Sequence, residues 1–416
     1  MGTPRLLRNA SAPGWTSPRD ILIQDGRIVQ IGARLPCDDG AVIDLRGRAV
    51  VPGLVEAHTH LDKAFTLSRC VSEEGTLSAA IREMARLKRA MTVEDVYRRA
   101  EACLLRFVAS GATTVRTHVD VDPAIELRGM EALVRLRERY RETVRLQLVP
   151  LARSTPGTGD EADYRHYLRA AVSLGADAVG GSPTRANDRA AHLRIAFATA
   201  AEFGLPVDLH VDESDDPADL ALETLADLTR AEGFEGRVVA GHCCSLAAVD
   251  DRVAARVIEK VARAGIAVAT LPLCNLYLQG RHDAQPVRRG ITRVTELLAA
   301  GVNVFCASDN VQDPFGPYGR ADTLEAAWLT GLTAQFPPSA RSTLLDMVTI
   351  RPAQALGLGA DHGLEVGRPA DLVVMESTSV EGLVVDRPER VLVLKAGRIT
   401  ATGPSAPQLG VEGPEV

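Results

Sequence analysis

The sequence predicts an α/β fold, a (β/α)8 TIM barrel with a small β-sandwich built from both chain termini, and three observations carry that prediction. Short β-branched runs alternate with amphipathic helical stretches through the middle of the chain, the pattern of parallel βα units. Polar residues gather at the ends of those runs, where barrel enzymes place their chemistry. Two β-rich segments of like character flank this region, one towards each terminus. The length of 416 residues suits a barrel of roughly 250 to 350 residues plus one appended module.

The first part of the sandwich is expected over residues 1–52. Residues 19–57 read as short strands joined by turns: DILIQ, then Asp25-Gly26, then RIVQIG, and later AVIDLRG before VVPGLVEA. Its second part is expected over 359–416, with DLVVME at 371–376 and RVLVLKAGRITATG folding around Ala396-Gly397. The barrel is expected over 53–358. Between Thr92 and Ser110 its helical half is plain: Thr92 caps, and Val96, Ala100, Cys103, Leu104 and Phe107 repeat on one face until Gly111. Eight candidate strands lie near 50–58, 112–120, 144–152, 176–182, 206–213, 237–243, 266–274 and 302–309.

A formal charge of −7, with Arg interspersed among Asp and Glu, leaves no basic stripe, so a nucleic-acid partner is not expected and a small molecule is. The seven Cys occur singly or as Cys243-Cys244, without C-x-x-C spacing, and read as reduced thiols. No apolar stretch of about 18 residues exists, and MGTPRLLRNASAPG leads into polar sequence, so no membrane segment is expected and a cytoplasmic location is.

The strongest local signal is AHTHLDK. Alternate residues of a strand face the same side, so His58 and His60 point together into the barrel mouth and can bind one cation. The fifth strand ends DLHVDES, presenting His210 and Glu213; the sixth ends VVAGHCC with His242; the eighth ends VNVFCASDN with Asp309. Four of nine His thus fall at predicted strand ends around one mouth, a placement that random scatter would rarely produce.

The segments VEAHTHLD, VRTHVDV, HVDESDD, LPLCNLYLQGRHDAQPVRRGITRV and SDNVQDPFGPYG resemble the amidohydrolase superfamily, and within it the cytosine deaminases, over nearly the whole chain. The resemblance implies one divalent metal ion, zinc or iron, held by His58, His60, His210 and Asp309, with water acidified beside it. It implies that Asp309 also accepts the water proton, that His242 orients or shuttles a proton, and that Glu213 protonates a ring nitrogen and relays a proton to departing ammonia. A heterocyclic substrate and a homo-oligomer are further implications. Strand four, ADAVGGSPT, lacks the carboxylated Lys or Glu of two-metal relatives, so a single ion is expected and direct ligation by His242 is the alternative. Glu213 alternatively belongs to a solvated acidic run, Asp212 to Asp216.

Around this centre, His118 is expected to shape the pocket floor, Asp120 and Asp122 to be structural or loop acids, and the Gln279-Gly280-Arg281 turn to shape the pocket. Phe315 is assigned to substrate binding, and Lys63 either touches substrate or is a salt-bridged loop residue. Two positions depart from the cytosine deaminase pattern. Arg153 stands where a Gln is usual and offers only donors with a fixed charge, while Asn310 in Ser308-Asp309-Asn310 replaces a carboxylate beside the substrate. Both changes favour oxygenated or carboxylated aminopyrimidines, amino-triazines or small cyclic guanidines over cytosine. The competing activity is hydrolysis of a ring amide or N-alkylamino group on a hydantoin or triazine. A barrel kept only for binding, and the H-x-E/P-C-x-x-C zinc deaminases, are disfavoured: every expected site position is filled in the first case, and both motifs are missing in the second.

Overall fold

The computed structural model describes residues 4–37, 40–152, 161–186 and 188–406. Strands β1 (Arg5–Ala10), β2 (Arg19–Gln24), β3 (Arg27–Gly32) and β4 (Ala41–Asp44) form one sheet in the order β3-β2-β1-β4. The Asp25-Gly26 turn between β2 and β3 has both residues at positive φ, 48° and 78°, the geometry that matches strand twist in a two-residue hairpin. Strand β1 was not anticipated by the alternation pattern: Leu6 and Leu7 are consecutive, point to opposite faces of the sheet and are both buried.

The second sheet takes its strands from both ends of the chain. Strand β5 (Ala49–Pro52) pairs with β13 (Leu372–Met375), which continues through β14 (Arg390–Lys395) to β15 (Arg398–Thr402). Leu7, Ile21 and Ile43 of the first sheet meet Val50, Leu372 and Leu394 of the second in one apolar cluster, which makes the two sheets a sandwich.

The chain leaves β5 directly into the barrel. Its parallel strands are β6 (Leu54–Thr59), β7 (Ala112–Val121), β8 (Arg145–Ala152), β9 (Val207–Val211), β10 (Val238–His242), β11 (Ala267–Thr270) and β12 (Val304–Cys306). The fourth position is filled by an extended segment around Val179, which hydrogen-bonds β8 through Asp177 N–H to Leu148 O and joins β9 through the Val179–Val207 bridge. A Thr59–Asp309 bridge closes the ring from first strand to eighth. The seventh strand is shorter than the sequence suggests: Pro272 starts a helix over Pro272–Leu278, since proline suits a first helical turn but would break a sheet ladder.

The helix Val93–Ala109 begins with the Thr92 side chain accepting from Asp95 N–H at 3.1 Å and buries Val96, Ala100, Cys103, Leu104 and Phe107 against the barrel. Losing that cap orphans a backbone donor. Thr92→Ala should therefore lower the unfolding free energy by about 1 kcal/mol, read by urea denaturation, with no change in activity.

Candidate active site

Strand periodicity places the site. Glu56, His58 and His60 occupy alternate positions of β6 and its C-terminal end, and all three are buried. His210 comes from β9, His242 closes β10, and Asp309 follows β12. His242 and Asp309 adopt positive φ, 70° and 61°, so two strand ends are held in a strained backbone conformation where their side chains enter the mouth.

The side chains converge. His60 Nε2 lies 3.2 Å from His210 Nε2 and 3.2 Å from Asp309 Oδ1, and His58 Nε2 lies 3.7 Å from the same oxygen. Tetrahedral bonds of about 2.0–2.1 Å to a divalent ion put neighbouring donor atoms roughly 3.3 Å apart, so these spacings fit one ion. Neither ring nitrogen of His58 has a hydrogen-bond partner among the described residues, nor has His210 Nδ1. Burial pushes both imidazoles well below their ordinary range, which keeps them neutral, the metal-binding form. The His60 Nδ1 position is 3.1 Å from His118 O, so a proton there is donated to the carbonyl and the Nε2 lone pair faces the centre.

His242 is the competing ligand, because one ring nitrogen of it lies with donor atoms of His58, His210 and Asp309 inside a 4.8 Å cluster. That cluster does not include His60, whose place as a ligand rests on its 3.2 Å approaches to His210 Nε2 and Asp309 Oδ1. His242 Nδ1 is moreover engaged by Asn275 Nδ2 at 3.0 Å. With the amide nitrogen donating, a neutral His242 carries its proton on Nε2. A second cluster, His58, His118 and Asp208, is a polar floor: Asp208 pairs with buried Arg116 at 2.8 Å and lies 3.5 Å from His118 Nε2.

A cavity of 1120 Å³ has Glu213 and Phe315 in its lining, and the clustered histidines and Asp309 lie outside that lining. Glu213 Oε1 is 3.9 Å from His242 Nδ1, so this carboxylate stands where the cavity meets the histidine cluster. Gln279 and Arg281 of the turn after the Pro272–Leu278 helix also line the cavity. Lys63 is buried, pairs with Asp120 at 2.9 Å, and sits 5.4 Å from the centre of the Phe315 ring, so its salt-bridged reading is the one the geometry displays. Asp120 and Asp122 share Lys88 at 2.6 Å each.

Arg153 lies outside the described residues. The Asn310 amide nitrogen donates to Asp313 Oδ2 at 2.5 Å. Asp313, pushed up to about 6 by burial, also accepts from Phe315 N–H and Gly316 N–H, so it organises this loop and brings a carboxylate back near position 310. Glu56, Asn275 and Asp313 were not singled out from sequence. For Glu56 a signal existed, since it lies two residues before His58 on the same inward face.

This barrel and this cluster of imidazoles and carboxylate define a hydrolase with a divalent-metal site. The chain belongs to the amidohydrolase family, whose model matches residues 41–122 and 70–401. It is 36% identical to pterin deaminase of Rhizobium rhizogenes, over 95% of this chain and 93% of that one. It is 30% identical to N-isopropylammelide isopropyl amidohydrolase of a Pseudomonas species, over 95% and 96% of the two chains. The crystal structure of 5-methylcytosine deaminase from Klebsiella pneumoniae superposes with a TM-score of 0.90 at 31% identity, covering 99% of both chains. No helix among the described residues is long and apolar enough to cross a membrane.

Proposed function

We propose that this enzyme hydrolyses the amidine carbon of an oxygen-bearing nitrogen heterocycle and releases ammonia, with His58, His60, His210 and Asp309 as ligands of one zinc or iron ion. The observation that carries the reading is Glu213, a carboxylate between the histidine cluster and the cavity and 3.9 Å from His242 Nδ1. A divalent ion at this site supplies hydroxide near neutral pH by acidifying water. Asp309 takes up the proton lost from water. As oxygen bonds to the ring carbon, the C=N electron pair moves to the ring nitrogen, and Glu213 protonates that nitrogen. His242, its Nδ1 held by Asn275, directs Nε2–H at the developing charge. The new hydroxyl then gives up its proton, which Glu213 relays to the exocyclic amine as the C–N bond breaks, giving ammonia and a ring carbonyl, and the proton held by Asp309 returns Glu213 to its acid form.

The cavity volume favours a ring larger than a single pyrimidine or one carrying a substituent. Pterin therefore heads the substrate series, followed by oxygenated aminopyrimidines and amino-triazines. In an ammonia-release assay, kcat/KM for pterin should exceed that for cytosine by at least about tenfold; equal values would overturn the size argument. The same room suits an N-alkylamino substituent, so mass spectrometry of the products against N-isopropylammelide tests that second reading, for which alkylamine rather than ammonia is the diagnostic product. All seven cysteines are free, which supports a reducing, cytoplasmic location. The homo-oligomer expectation rests on the resemblance and is read directly by light scattering.

A further inference from the structure

Glu56 is fully buried, makes no salt bridge among the described residues, and is encircled by donors. Its Oε1 accepts from His58 N–H at 3.3 Å and Ser308 N–H at 3.0 Å; its Oε2 accepts from Ser308 Oγ at 2.7 Å and Thr323 Oγ1 at 3.2 Å. These partners belong to opposite sides of the seam where the barrel closes. His58 is on the first strand, whereas Ser308 directly precedes Asp309 at the end of the eighth. Across the seam at this level Asp309 N–H donates to His58 O at 2.9 Å and Thr59 Oγ1 donates to Asp309 O at 2.7 Å, beside the Thr59–Asp309 bridge. One side chain thus clasps the backbone of one ligand residue to the neighbour of another, one inward-facing position below the ion site.

Burying a carboxylate with no cation paired to it is costly, so packing alone gives no reason for Glu56 at this place. The clasp offers something a methyl-lined layer does not: it fixes the separation of His58 Nε2 and Asp309 Oδ1, 3.7 Å, before an ion arrives. Hydrogen-bonding partners behind metal ligands typically contribute 10- to 100-fold in affinity. We infer that Glu56 is a positioning residue that preorganises the His58–Asp309 pair and thereby sets the affinity of the metal site. This rests on the ligand assignment made above, but not on the identity of the substrate.

Glu56→Gln keeps the shape and replaces an acceptor with a donor that faces Ser308. The expected result is about 10- to 100-fold weaker zinc binding, measured by competition with a chromophoric chelator, with activity recovered at saturating zinc. The thermal midpoint of the metal-free variant should match that of the metal-free parent within a few degrees, whereas the stabilisation added by zinc should shrink. Ser308→Ala removes only the 2.7 Å hydroxyl bond and should shift affinity the same way by a smaller factor, which keeps the test open if the Gln variant does not fold. Zinc affinity equal to the parent's in Ser308→Ala and in any folded Glu56→Gln overturns the inference. Should His210→Ala retain parental zinc affinity, the ligand assignment itself fails, a separate outcome from failure of the clasp.

Discussion

Asp309→Ala should abolish turnover, by on the order of 10³-fold or more, and should purify with little or no metal. The magnitude follows from what the residue touches. Its Oδ1 lies 3.2 Å from His60 Nε2 and 3.7 Å from His58 Nε2, and it is the only anion in the proposed ligand set. Removing it leaves three neutral imidazoles to hold a dication, and it also takes away the acceptor for the proton of the attacking water. A bound metal supplies several kcal/mol of transition-state stabilisation, and each 1.4 kcal/mol is about a factor of ten. Burial, followed by the charge of Glu213, pushes the Asp309 carboxyl well above its ordinary range when no cation is present, so the apo site favours a protonated acid that an ion must displace. Dialysis of the parent enzyme against a chelator should reproduce the loss, and stoichiometric zinc or iron should reverse it only in the parent. Metal analysis and ammonia release on the same samples decide the matter. A metal-free preparation that keeps full activity would sink both the ligand assignment and the hydrolytic mechanism.

The barrel was legible because its strands carry their chemistry at one end. His58, His210, His242 and Asp309 each follow a β-branched run, and the structure brings all four to one mouth. What escaped the sequence was the support beneath and beside them. Glu56 reads as one more acid among many until its partner Ser308, 252 residues away, is known, and no local pattern encodes that pairing. Asn275 lies one residue past the expected end of the seventh strand, and the helix that starts at Pro272 turns its amide towards His242. Asn310 shows the converse difficulty. It stands where the resemblance leads one to expect a carboxylate, and Asp313, three residues on, places a carboxylate 2.5 Å from its amide nitrogen, so the charge at one position does not give the charge of the loop. Likewise the first sandwich strand was invisible to alternation because a strand buried on both faces has none to show.

Glu213→Gln should lower kcat by roughly 10² to 10⁴-fold while metal content stays at the parental level, the range expected when one proton-transferring group is removed. The side chain retains its size and one acceptor oxygen, so ring binding is preserved and KM should change by much less than kcat. What disappears is the capacity to give a proton to the ring nitrogen and then carry one to the leaving amine. The acidic run Asp212 to Asp216 makes a control available. Asp216 also lines the cavity but uses its carboxylate to accept from Ala218 N–H, a loop contact, so Asp216→Asn should cost far less than Glu213→Gln. Asp212, by contrast, is buried and tied to the Ala221 and Leu222 amides, so it braces the loop that carries Glu213. The pair of variants therefore separates a specific proton donor from a general effect of negative charge at the mouth. Equal losses in both would show that the run acts as a field, and an active Glu213→Gln with normal metal content would remove Glu213 from the mechanism. A substrate whose leaving amine is replaced by a better leaving group sharpens the test further. Departure of such a group needs no proton, so the Gln variant should recover part of its lost rate on that compound, to the extent that Glu213 acts at the second step rather than the first.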